Sequence, residues 1–159
     1  MIERTLVLVK PDGVQRSLVG KIIQRFEDAG LKIVGMKMKW VDQEFAKKHY
    51  ADHVGKAFYQ PLENYITEGP VVAMVLEGVQ AVENVRKIVG GTEPKSAPPG
   101  TIRGDLCHVS FAYSDERGLS VKNLIHASGK KEEAETEIGL WFTEDEIHSY
   151  KTVHDMHLY

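Results

Sequence analysis

The sequence predicts an α+β sandwich, a mainly antiparallel four-stranded sheet with helices packed on it. Three observations predict it. Compact apolar runs of strand length alternate along the chain with segments whose apolar residues recur at helical spacing. Glycine and proline punctuate these segments where turns and helix ends are needed. The 159 residues, 42% hydrophobic and 27% charged, suit a single domain (1–159) able to bury a core.

Thr5–Val9 is a β-branched apolar run and reads as a buried strand, stopped by the turn chemistry of Lys10-Pro11-Asp12-Gly13. Leu18, Val19, Ile22, Ile23 and Phe26 then recur at helical spacing, with Gly30 where a helix end favours it. Val34, Met36, Met38 and Trp40 alternate with Gly35, Lys37 and Lys39, a strand with one buried and one wet face. Two short helices are expected near 43–52 and 61–68, then a central strand over Pro70–Leu76. Val79, Val82, Val85, Arg86 and Val89 carry a helix to Gly90-Gly91. After a Gly/Pro-rich stretch to Gly104, a strand is expected from about Asp105 to Ala112, with an extended loop or hairpin near 110–122. Glu132–Phe142 reads as the last long helix, and Thr143 with Glu146 forms a capping box for a short terminal one. This order matches the split β-α-β pattern of a ferredoxin-like sandwich.

Composition narrows the function classes. One cysteine, Cys107, excludes an internal disulfide framework and suits a reducing compartment. Glu3 and Arg4 interrupt any apolar leader, and no apolar stretch reaches membrane-spanning length, so a cytoplasmic protein without membrane association is expected. A formal net charge of −3 argues against a nucleic-acid partner but leaves room for a small anion held by a few local cations.

The loop from Gly90 to Gly104 is too long for a simple turn and carries Thr92, Lys95 and Arg103, with Arg86 just before it. Two arginines and a hydroxyl around one loop make a phosphate clamp, against the plainer reading of a proline-stiffened surface loop. Lys10 ends a buried strand; alone, it reads as a solvated strand-end lysine. A Walker-type phosphate loop is rejected, since six residues separate Gly13 from Gly20 and Ile22 stands where a metal-binding hydroxyl belongs. Of seven histidines, the tail trio His148, His154 and His157 lacks cysteine or carboxylate partners at ligand spacing. His126 differs, because Ala127-Ser128-Gly129 leave room beside it for a bulky group.

In chain order, Lys10-Pro11-Asp12-Gly13-Val14, Tyr50, Arg86, Gly91-Thr92, Pro99-Gly100-Thr101-Ile102-Arg103-Gly104-Asp105, Asn123-x-x-His126, and Glu137 before Leu140-Trp141-Phe142 resemble the nucleoside diphosphate kinase family. Any one piece is weak; the ordered set, from Arg4 to the C-terminus, is specific. The resemblance implies that His126 takes the γ-phosphate of a nucleoside triphosphate, with ATP as donor, and passes it to a diphosphate in ping-pong fashion. An imidazole's ordinary pKa of roughly 6.5 leaves it mostly uncharged near neutrality and able to attack. Glu137 is implied as the partner of the other ring nitrogen, and Tyr50 as a hydroxyl near the transferred phosphate. Arg86, Thr92 and Arg103 correspond to the phosphate-binding set, Lys10 and Asn123 to residues at the ribose, and Phe58 to the aromatic on which the base stacks. Stacking of that kind tolerates many bases. Mg²⁺ is implied as a cofactor carried by the nucleotide phosphates, with no protein cage.

Two departures stand out. The family's His-Gly-Ser-Asp is His126-Ala127-Ser128-Gly129 here, so the aspartate's contact is lost. The connection from Cys107 to Asn123 is longer and leaves the second base-packing residue open, with Val109 as a candidate. A phosphohydrolase and a non-catalytic nucleotide sensor are the rival readings. Arg103→Ala is expected to lower the rate with little effect on folding. A homo-oligomer, hexameric or else tetrameric, is implied by the resemblance.

Overall fold

In a computed structural model of the chain, which describes residues 1–158, the first apolar run becomes β1 (Ile2–Val9) inside a four-stranded sheet. Lys10-Pro11-Asp12-Gly13 does more than turn: Pro11 opens a short helix, α1 (Pro11–Gln15), at the position where its missing N–H is no loss. α2 (Val19–Asp28) buries Ile22 and Phe26 and ends before Gly30, whose φ of +77° is the left-handed conformation that stops a helix. β2 (Lys32–Trp40), α3 (Gln43–His49), α4 (Tyr59–Thr67), β3 (Pro70–Val79) and α5 (Ala81–Val89) follow.

The sheet order is β2-β3-β1, then β4 (Ile125–Ala127), and each neighbouring pair is antiparallel. β1 and β2 therefore run parallel to each other on either side of β3, with α2 crossing between them. β3 and β4 flank β1 in the same way, with α5 as the crossover. These two interlocked units are the ferredoxin-like fold expected from the element order.

β1 is apolar from Leu6 to Val9, where both its faces are covered. Val7 and Val9 pack with Met74, Leu76, Phe26 and Val85 on one side. Leu6 and Leu8 pack with Ala73, Val75, Tyr50, Ile66 and Trp141 on the other. At roughly 25 cal/mol per Å² of apolar area removed from water, these two layers are the main driving force of the fold.

Two expectations are corrected. In β2 the alternation is present, but Met36, Met38 and Trp40 are its exposed members, at 55%, 61% and 66%. Val34 is an extra residue in the pairing, since Ile33 faces Leu76 while Gly35 faces Val75, and the bulge moves later side chains to the other face. Lys37 and Lys39 lie over the rings of Phe142 and Phe45 instead, with the Lys37 ammonium paired to Glu146 at 2.7 Å.

Second, no strand forms over 105–112. Thr101 Oγ1 accepts the N–H of Gly104 and caps α6 (Ile102–Leu106), while Ser110 Oγ accepts the N–H of Tyr113 and caps α7 (Phe111–Asp115). The segment between them joins no sheet within the described residues, and the fourth strand is the three residues around His126. The inserted stretch is therefore the helix α7 followed by a turn at Gly118, not a hairpin. α8 (Lys131–Trp141) comes next, then the expected Thr143/Glu146 capping box on a 3-10 turn, and last α9 (His154–His157). Among the described residues, no helix is long and apolar enough to cross a membrane.

Candidate active site

Alternation along β4 aims the candidate nucleophile. Ile125 and Ala127 point into the layer of α2 and α5, so His126, opposite Leu8, points to the face covered by α3 and α8. There Glu137 Oε1 lies 2.8 Å from His126 Nε2. Ser128 Oγ donates to Glu137 Oε2 at 2.5 Å and accepts the N–H of Leu6, which fixes the carboxylate. Burial works to raise the Glu137 pKa, but hydrogen bonds and charge from His126, with the Ser128 bond, outweigh it and hold the group below the ordinary carboxylate range. An ionised carboxylate only accepts, so the proton sits on Nε2 and the Nδ1 lone pair of His126 is free.

The backbone leading to His126 is strained and heavily tied. Leu124 has φ of +70°, a conformation that costs a side-chain-bearing residue about 1–3 kcal/mol. Its N–H donates to Asp12 Oδ2 and its carbonyl accepts the N–H of Lys10 at 2.8 Å, while Tyr65 holds Asp12 through a 2.6 Å bond. These contacts, on a fully buried residue, keep the strand start in place.

The cations surround the same point. Lys10 Nζ donates to Asn123 Oδ1 at 2.8 Å, and burial, reinforced by the Arg103 charge, lowers its pKa to about 7. Arg103 is buried and donates to the carbonyls of Asn123, Gly90 and Ile125 at 3.2, 3.1 and 2.5 Å. Gly90, at φ of +87°, ends α5 and turns its carbonyl to this guanidinium. Three of the five guanidinium N–H groups are thus engaged, leaving two for a ligand. Arg103 is tied to the main chain as well as available, so its three carbonyl contacts weigh against the expectation that its loss would spare folding. Arg86, exposed on α5, has no side-chain hydrogen bond within the described residues. Asn123 Nδ2 donates to the carbonyl of Thr92. Tyr50 OH is buried without a partner, and burial, with the Glu137 charge, pushes its pKa up, so it remains a proton donor.

Lys10, Tyr50, Arg86, Thr92, Arg103, Asn123 and His126 all line one cavity of about 240 Å³. A neighbouring apolar cavity of about 530 Å³ shares Lys10, Leu62, Thr92 and Asn123 with it and contains Phe58. Phe111, Leu119 and Val121 of the inserted stretch form its other wall; Val109, the candidate for that role, is not among the lining residues.

Three lining or adjacent residues are not flagged by the sequence. His53 lines the smaller cavity beside Tyr50. His49 stands edge-on to His126 at 5.0 Å between ring centres, its Nδ1 accepting from Trp141 Nε1. Burial, then the His126 charge, lowers the His49 pKa to about 3, so it is neutral. Glu133 lines the cavity from the first turn of α8. One signal existed for His49, its place next to Tyr50; for Glu133 there was none.

His49, His126 and Glu137 also form a group of three potential metal ligands. Their best atoms are already committed, to each other and to Trp141. That donor set does not fit a resident ion. The open cavity beside it, with three cations and a single carboxylate, Glu133, among its lining residues, offers no cage for a resident ion either.

The sequence comparison matches the family model "Nucleoside diphosphate kinase" over residues 3–147. The chain belongs to the nucleoside diphosphate kinase family. It is an enzyme, a kinase that acts on nucleotides. A nucleoside diphosphate kinase of Pyrococcus furiosus is 56% identical over 149 residues, covering 94% of this chain and 88% of that protein. One from Archaeoglobus fulgidus is 50% identical, covering 99% and 98%. Among solved structures, the Borreliella (borrelia) burgdorferi enzyme described as a transition state mimic with vanadate and ADP superposes with a TM-score of 0.95 at 47% identity, covering 98% and 96%. The Halobacterium salinarum kinase in complex with CDP gives 0.89 at 43%, covering 100% and 99%.

Proposed function

We propose that the chain transfers the γ-phosphate of a nucleoside triphosphate to a nucleoside diphosphate by a ping-pong reaction through phosphohistidine on His126. One observation carries the proposal: His126 has Nε2 held by Glu137 while its ring lines the cavity of Lys10, Arg86 and Arg103. In the first half-reaction the Nδ1 lone pair attacks the γ-phosphorus, the bond to the β,γ-bridging oxygen breaks, and the diphosphate leaves with that electron pair. Glu137 offsets the positive charge that develops on the ring through the Nε2–H bond. In the second half-reaction a terminal oxygen of the acceptor diphosphate attacks the same phosphorus and the P–N bond breaks, restoring the imidazole.

Arg86, Arg103, Thr92 and the Tyr50 hydroxyl would hold the phosphoryl oxygens, which is most of what this reaction asks of a protein. Lys10 and Asn123, shared by both cavities, would meet the ribose and adjoining phosphate. Mg²⁺ carried by the phosphates supplies charge neutralisation when bound. The base would lie against Phe58, across from Phe111, Leu119 and Val121. Walls that are mainly apolar read few base-specific groups, which supports tolerance of many bases and of both sugars, with ATP as the ordinary donor. The ligands named for the two relatives, ADP and CDP, support the same tolerance. A homohexamer, or else a tetramer, in the cytoplasm completes the proposal. The exposed Met36, Met38 and Trp40 on an edge strand support self-association.

The test is exposure to Mg·ATP labelled in the γ-phosphate, with no acceptor, then peptide mapping at neutral to alkaline pH. One stable label per chain on His126, discharged by added GDP, is expected. His126→Ala should bind ADP normally and lose all transfer. Continuous release of inorganic phosphate, or label on another residue, overturns the reading.

A further inference from the structure

We propose that Glu133 is the carboxylate that receives the divalent cation accompanying the nucleotide, and that it makes the site discriminate between metal-bound and metal-free nucleotide. This rests on the phosphoryl-transfer reading of the same cavity. Glu133 Oε2 accepts the N–H of Gly129 at 2.6 Å, and a Cβ added to Gly129 would lie 2.6 Å from that oxygen. The carboxylate thus fills the space that a side chain at 129 would take, and it does so half-buried, on the wall shared with His126.

Its charge is what needs explaining. The other charged groups on that wall are the cations Lys10, Arg86 and Arg103. Glu137, behind His126, is matched by His126 and Ser128. Glu133 has no ion-pair partner within 4.0 Å among the described residues, although an Arg86 Nη1 lies 4.0 Å from the same Cβ position. Only Oε2 is hydrogen-bonded among the described residues. A carboxylate without a salt bridge, facing a polyphosphate, repels it, and the same carboxylate attracts a polyphosphate that carries a divalent ion. Mg²⁺ typically takes one or two carboxylates, directly or through its bound waters, and completes its shell with phosphate and water oxygens. Glu133 meets that description.

The experiment is calorimetric titration of the full chain with ADP, once with a chelator and once with excess Mg²⁺. It compares wild type, Glu133→Gln and Glu133→Asp. Glutamine removes the charge and keeps an oxygen that can accept the Gly129 N–H. Wild type is expected to favour Mg·ADP. In Glu133→Gln, metal-free ADP should bind more tightly and Mg·ADP more weakly, so that the ratio of the two affinities falls by about tenfold. Glu133→Asp, which retains the charge, should keep most of the preference and covers the case of a poorly folded glutamine variant. Unchanged affinities in Glu133→Gln would mean that Glu133 only caps Gly129, and the proposal fails. If wild type binds ADP in neither form, the phosphoryl-transfer reading fails first and this one with it.

Discussion

The buried ammonium of Lys10 makes nucleotide binding a proton-uptake reaction. Its pKa of about 7 arises from burial first and the Arg103 charge second, so at pH 8 only about a tenth of the free sites carry the proton. A polyphosphate brought against Nζ restores the charged form. Binding of Mg·ADP at pH 8 should then take up ~0.9 proton per site, falling to ~0.5 at pH 7. Affinity should drop by up to tenfold for each pH unit above 7, about 1.4 kcal/mol per unit. Titration calorimetry at pH 8 in two buffers of different ionisation enthalpy measures the uptake directly, and ADP itself is fully ionised there. Lys10→Arg, whose guanidinium does not titrate, should abolish the uptake. The free enzyme offers a second check. The folded pKa lies below the unfolded value of 10.5, so the unfolded chain binds more protons between about 7 and 10.5, and this group's contribution makes stability rise with pH through that window. Absence of proton uptake together with flat affinity from pH 7 to 9 would refute a neutral Lys10 in the free site.

Arg103→Ala should lower stability by about 3 kcal/mol or more, because three carbonyl partners are orphaned at roughly 1–3 kcal/mol each; denaturant unfolding of wild type and variant measures it. An unchanged unfolding midpoint would leave Arg103 as a ligand-binding group alone. Glu137→Gln should reduce kcat by on the order of 10²–10⁴-fold, since an amide no longer offsets ring charge and can donate to Nε2, selecting the wrong tautomer. ADP affinity should hardly change, so a loss confined to binding would contradict the assigned role.

The layered fold was legible in the sequence because its cues are local. β1 and β3 read as continuous apolar runs because two layers cover them, and the Thr143/Glu146 box declares itself over four residues. Of the misread elements, β2 depended on a distant partner, whereas 105–112 turned on two local caps that its strand-like residues masked. β2 reverses its faces through one bulged residue, a change set by pairing with β3. The fourth strand, three residues long, was hidden by the more strand-like 105–112, where two hydroxyl caps turn the chain into helices. At the site, the ordered resemblance brought nine residues to notice. Main-chain partners were invisible to it: nothing in the string of residue types says that Arg103 is tied to the carbonyls at 90, 123 and 125.

Those ties explain why folding and ligand binding meet in the same residues. His126 sits one residue beyond Ile125, whose carbonyl Arg103 holds, and two beyond Leu124, whose strained backbone Lys10 and Asp12 hold. Lys10 and Arg103 also line the phosphate cavity. A cation that anchors the strand is already fixed in place before the ligand arrives, so little ordering remains to oppose binding. The arrangement carries a penalty in the free enzyme, because burial disfavours both charged forms, with the Arg103 charge adding to it at Lys10 and the Arg86 charge at Arg103, and the two pKa values fall to about 7 and about 10. Nucleotide relieves it. Ligand should therefore raise the unfolding midpoint, and by less in Arg103→Lys, which keeps a positive charge but cannot span all three carbonyls at once.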